Sequence, residues 1–146
     1  MKPVRIMAVS GMLGYGFTEE AFRRGLDLGL DLIACDAGSA DPGPYYLGNG
    51  SAFVSRLATK RDLGLMVTAG IELGVPVFVG SAGGSGADVQ IDWTLDILRE
   101  ICVEHHLTPS VAVLRSEIDK DTLRAKVREG RTSPLGPIAP LTEAEV

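Results

Sequence analysis

The chain has little of several things, and each scarcity removes a class of protein. Its 146 residues include two cysteines, Cys35 and Cys102, too few for a disulfide framework. Both sit among apolar neighbours and read as buried thiols in a reducing cytoplasm. Trp93, Tyr45 and Tyr46 are too few and too scattered for a base-stacking platform. Basic residues are outnumbered 14 to 19, and the net charge of −5 offers no cluster to neutralise nucleic-acid phosphates or anionic lipid. No window approaches the roughly 18 apolar residues of a membrane span. The apolar start breaks at Ser10 and Gly11, too early for a secretory segment. The expectation is a soluble cytoplasmic protein without nucleic-acid or membrane partners.

Chemical signatures are equally sparse. No Gly-Lys-Ser/Thr occurs, and GMLGYG is neither a P-loop nor a dinucleotide fingerprint. Asp36 does stand about 20 residues on, where a ribose-binding acid would be. Phe17 holds a place where an extended fingerprint wants glycine, and no Tyr-x-x-x-Lys pair exists. VGSAG lacks the first glycine of a nucleophile elbow at Ser81. His105 and His106 are adjacent at a helix end and suit its C-terminus better than a metal. No metal is assigned, and the sequence names no cofactor.

What is present is pattern and glycine. Short β-branched runs at residues 4–9, 31–37, 76–79 and 110–115 alternate with helical stretches at 18–28, 51–73, from 88 through Cys102, and 120–129. Strands separated by single helices imply right-handed crossovers. The expected fold is therefore α/β, a three-layer α-β-α Rossmann-like domain spanning 1–146. Its sheet would be mostly parallel, with at least four strands. Thr142-x-x-Glu145 has the spacing of a capping box with no helix to follow, which suggests the amino-terminal portion of a longer protein.

Glycine makes up 18 of 146 residues, and 11 of them fall after the first three expected strands. These are Gly11, Gly14 and Gly16; Gly38, Gly43, Gly48 and Gly50; and Gly80, Gly83, Gly84 and Gly86. Ligands of open parallel sheets bind at the carboxyl edge, near the switch in strand order. Loops leading into helix N-termini favour an anion. The candidate ligand-binding residues are Gly11, Gly14, Tyr15, Gly16, Asp41, Tyr45, Tyr46, Ser81, Gly83, Gly84, Gly86 and Asp88. Asp36 and Asp119 are acid/base candidates, while Arg115 and Lys120 would orient an anion. Arg115, ending the fourth expected strand, could instead pair with Asp36. Asp88 also reads as a helix cap.

The segments SGMLGYGF, CDAGSADPGPYYLGNG, KRDL, VGSAGGSGADVQIDWTLDILREI and EIDKD together resemble the acyclic terpene utilisation (AtuA) family. The resemblance runs along nearly the whole chain and implies a longer catabolic protein, of which this is the amino-terminal part. Its signature segments coincide with the four loops picked out above. The implied ligand is a small carboxylate or acyl-thioester, and the expected reaction that of a lyase, hydratase or isomerase. Two other classes stay open. One is a non-catalytic ligand-binding or structural subunit, a homo-oligomer or partner of an absent domain; the other is a nicotinamide-dependent oxidoreductase.

Overall fold

A computed structural model describes residues 3–38 and 44–146. The chain divides into two compact units, residues 1–115 and 116–146. The first runs β1 (Ile6–Ala8), α1 (Glu19–Leu26), β2 (Leu32–Asp36), α2 (Tyr45–Asn49), α3 (Arg56–Leu73), β3 (Val77–Gly80) and α4 (Asp88–Glu104). A single 3-10 turn, Ala82–Gly84, precedes α4. Hydroxyls open two of the helices: Thr18 accepts from the Ala21 amide at 3.3 Å, and Ser55 from the Ala58 amide at 3.2 Å.

The three strands pair in parallel in the order β1-β2-β3. Met7 is level with Ile33, and Ile33 with Val77. These three belong to one core with Cys35 and Val79, Phe22 of α1, Leu63 and Met66 of α3, and Ile97 and Ile101 of α4. Helix α1 meets the strand at Met7, whose sulfur would lie 2.4 Å from a β-carbon on Gly25. Helix α3 meets the same face at Val77, 2.4 Å from a β-carbon on Gly70.

The three-layer, four-strand expectation is thereby overturned. Both right-handed crossovers step in the same direction, so their helices lie on the same side of the sheet. The other side carries Ile6, 59% exposed, and Phe78, 58% exposed, with nothing packed over them among the described residues. An order of 1-2-3 also contains no reversal, so no switch-point crevice forms between these strands.

The fourth expected strand is missing too, although VAVL has strand propensity. Leu107 is tied to the end of α4, its amide donating to the Cys102 carbonyl at 2.9 Å. Arg115 is tied to the start of α4 through Asp88 and Asp92. Helix α4 is roughly 25 Å long, and eight extended residues cover about 26 Å, so the connection runs extended along it. Residues 110–115 are nevertheless exposed throughout and pair with no strand among the described residues. Propensity is local, but a strand exists only where its backbone finds a ladder.

The second unit holds α5 (Lys120–Arg128) and a 3-10 turn at Glu143–Glu145. Asp119 caps α5, its carboxylate accepting from the Thr122 amide at 2.9 Å. The Thr142 amide and hydroxyl both donate to Glu145, at 2.8 and 2.7 Å, as the capping-box spacing predicts. Among the described residues, no helix is long and apolar enough to cross a membrane.

Replacing Ile33 by Ala should cost about 2–5 kcal/mol in urea unfolding. Val113→Ala should stay within about 0.5 kcal/mol. A cost above about 1 kcal/mol at Val113 would mean that residues 110–115 are packed or paired after all.

Candidate functional site

The carboxyl edge is built by the segments that leave β1, β2 and β3. The first plunges before it surfaces: Met12 and Leu13 are buried, and the Leu13 amide donates to the Asp36 carbonyl at 2.7 Å. The chain then rises through Gly14 and Gly16 at φ values of 94° and 84°, which L side chains rarely adopt. Both amides donate to one oxygen of Asp62, each at 3.0 Å. Asp62 belongs to α3 and is 0% exposed. Its second oxygen accepts from the neighbouring Arg61 guanidinium at 2.7 Å. The amides expected to receive an external anion thus already hold an internal carboxylate.

The segments after β2 and β3 touch. A β-carbon on Gly38 would stand 2.6 Å from both the Gly84 carbonyl oxygen and Ser81 Cβ, so this crossing admits only glycine. The Asp36 carboxylate folds back on its own strand end and accepts from the Gly38 amide at 2.9 Å. Ser81 begins the next turn with φ 48°, exposed at the edge.

Helix α4 supplies a second buried polar group, Gln90, which is 1% exposed. Its Oε1 accepts from the Ser85 amide at 3.0 Å and from the Ser85 hydroxyl. Its Nε2 donates to the Ser51 carbonyl at 3.0 Å and the Tyr46 carbonyl at 3.4 Å. One side chain therefore joins the segment after β3 to the turn around α2. The Gly84 amide goes to the Ser81 carbonyl at 2.9 Å, and the Gly86 amide to the Ala82 carbonyl at 3.3 Å. Those amides also have internal acceptors.

Aromatic rings line the rim. Tyr45 meets Tyr46 with ring centres 5.2 Å apart, Tyr46 meets Phe53 at 5.1 Å, and Phe53 meets Tyr15 at 6.3 Å, all edge-on. All three tyrosines of the chain converge here: Tyr15 and Tyr46 meet at Phe53, and Tyr45 joins through Tyr46. Tyr15 is 59% exposed, so this cluster faces solvent and not the core.

The remaining expected residues disperse. Asp41 lies outside the described residues. Gly11 sits at the open start of the first segment. Gly83 packs so close to Gln90 that a β-carbon there would lie 2.6 Å from the Gln90 carbonyl oxygen. Arg115 does not reach for Asp36; it grips Asp88 at 3.2 Å and Asp92. Asp88 is the first residue of α4, and Ala87 occupies the cap position. Asp119 is a helix cap, and the Thr122 amide holds its carboxyl below the usual value. Lys120 opens α5.

Asp62, Gln90 and Phe53 are the residues that sequence reasoning missed. A signal exists for the first: Asp62 is the aspartate of the KRDL segment and falls on the buried face of α3. Among the described residues, no group of three or more His, Cys, Asp or Glu side chains is placed to hold a metal. Comparison with protein-family models, curated proteins and solved structures finds no match to this chain.

Below the edge, Cys35 places its sulfur 3.5 Å from the Ser10 hydroxyl. Burial pushes this thiol up, more strongly than the Ser10 hydrogen bonds pull it down. With the folded value above the unfolded one, the stabilisation is complete below the unfolded value of about 8.5 and is lost as pH rises through the folded value. Cys35→Ala should therefore flatten the fall of melting temperature at alkaline pH. An unchanged alkaline fall would assign the loss to another group.

Proposed function

We propose that the chain is the ligand-binding part of an AtuA-like catabolic protein of the cytoplasm, acting on a small carboxylate or acyl-thioester. The reaction class is that of a lyase, hydratase or isomerase, with Asp36 moving the proton. One observation carries this reading: the three tyrosines and Phe53 form one chain of edge-on contacts between the segments that follow β1 and β2. Exposed rings serve no core here, and aromatic walls with a few polar groups are the usual lining of a small-molecule site. The free thiols of Cys35 and Cys102 agree with a reducing compartment.

The geometry narrows the roles of the other candidates. Gly14, Gly16, Gly84 and Gly86 shape the edge and give their amides to internal acceptors. Arg115 fastens residues 107–115 to α4. The carbon skeleton of a ligand would lie against Tyr15, Tyr46 and Phe53, within reach of the first and second segments. Asp36 commits one carboxylate oxygen to the Gly38 amide at the end of β2.

Calorimetric titration with coenzyme A, acetyl-coenzyme A, butyrate, NAD⁺ and Mg²⁺ tests the reading. Saturable binding of a thioester or carboxylate is expected, weakened about tenfold or more by Phe53→Ala, which corresponds to ~1.4 kcal/mol. Asp36→Asn keeps an acceptor for Gly38 and should leave the melting temperature unchanged while abolishing turnover. Binding without any turnover would favour a ligand-binding subunit. Binding of NAD⁺ alone would replace the proposal by a nicotinamide-dependent oxidoreductase.

A further inference from the structure

We infer that Asp62 is the positioning residue that presents Tyr15 to the ligand, an inference that rests on the site reading above. The two amides flanking Tyr15 both end on the same buried oxygen of Asp62, at 3.0 Å each. Fixing the backbone on either side of one residue fixes the direction of its side chain. The residue so fixed stands out from the surface and meets Phe53 edge-on.

Helix α3 and the residue before its cap reinforce this grip from three further points. Val54 and Thr59 approach Gly14 to 3.0 and 3.2 Å from where a β-carbon would be. Arg61 binds the free oxygen of Asp62 at 2.7 Å and donates to the Phe17 carbonyl at 2.9 Å. Its guanidinium also lies 5.4 Å over the Phe17 ring. The first segment is thus clamped before and after Tyr15.

Merely closing the loop does not call for a charge. A carboxylate taken out of water is costly, and an apolar side chain would fill the same space more cheaply. What an apolar side chain cannot do is accept two divergent amides and so specify one backbone path through positive φ. That specification is the service the buried charge supplies, and Tyr15 is its output.

The test reads Tyr15 directly and uses no ligand. Tyr15→Leu defines the part of the near-ultraviolet circular dichroism that belongs to the Tyr15–Phe53 contact. Asp62→Ala should abolish the same part while the far-ultraviolet spectrum keeps its helical shape. Exchange of the Gly14 and Gly16 amides should accelerate about tenfold or more. An unchanged Tyr15 contribution, or unchanged exchange at those amides, would overturn the inference.

Should Asp62→Ala not fold, Asp62→Asn decides, because its carbonyl can still accept both amides while the charge is gone. Upfield movement of the Gly14 and Gly16 amide resonances with the Tyr15 contribution retained supports the assignment. Resonances that do not move show that the carboxylate was never their acceptor, and the inference falls. Since no ligand enters these measurements, failure here is distinct from failure of the titration panel to bind.

Discussion

The handedness of a crossover governs residues 1–115. A parallel connection turns right-handed because a right-twisted strand feeding a helix can pack back only that way. Here the chain makes that turn from β1 to β2 and again from β2 to β3, moving across the sheet in one direction. Helices α1 and α3 are thereby committed to one side, and α4 joins them by packing on α3. The apolar side chains of alternate strand positions are then divided unequally. Met7, Ile33 and Val77 enter the core, while Ile6 and Phe78 remain on the far side. Parallel pairing sets the carboxyl ends of all three strands along one edge, so the glycine-bearing segments emerge side by side.

Segments that leave buried strands carry backbone donors away from the ladder and need acceptors for them. Two helices answer this need with a single buried polar side chain each. Asp62 reaches from α3 to the segment after β1, and Gln90 from α4 to the segments after β2 and β3. This explains the glycine content more fully than ligand approach does. Gly14 and Gly16 must turn their amides inward at positive φ, and Gly38 must let another backbone pass at contact distance. The surplus glycine is first of all the consequence of folding three segments onto two buried polar side chains, Asp62 as acceptor and Gln90 as acceptor and donor.

The strands and long helices were legible because their signals are local. Residues 4–9, 31–37 and 76–79 are largely apolar runs; the first two contain the strands found there, and the third overlaps β3 but stops short of Gly80. Thr18 and the charged stretch after Asp119 likewise marked helix starts correctly. Residues 110–115 misled for the complementary reason: VAVL looks like a strand alone, but pairing depends on where α4 delivers the chain. The short α2 was hidden inside a proline- and glycine-rich stretch, where composition argues for a turn. Asp62 and Gln90 escaped notice because a polar residue within a helix reads as part of its solvent face. In sequence an aspartate near an expected strand end and an aspartate capping a helix are identical until Thr122 is placed against it, as at Asp119.

These two buried polar side chains also bear on what kind of site the edge can be. A site on free loops would have to be ordered by its ligand, and that ordering would subtract from affinity. Here Met12 and Leu13 anchor the first segment in the core, and Asp62 clamps the residues around Tyr15. Gln90 holds the Tyr46 carbonyl and Ser51 on either side of the turn that leads to Phe53. The rings therefore stand on backbone that is fixed before any ligand arrives, which is the arrangement precise sites require. Asp36 stands at the end of the central strand, its backbone paired on both sides, to Leu13 and to Ala37's neighbour Gly80 across the register. The side chain at this position is therefore carried by backbone that the neighbouring segments hold from both sides.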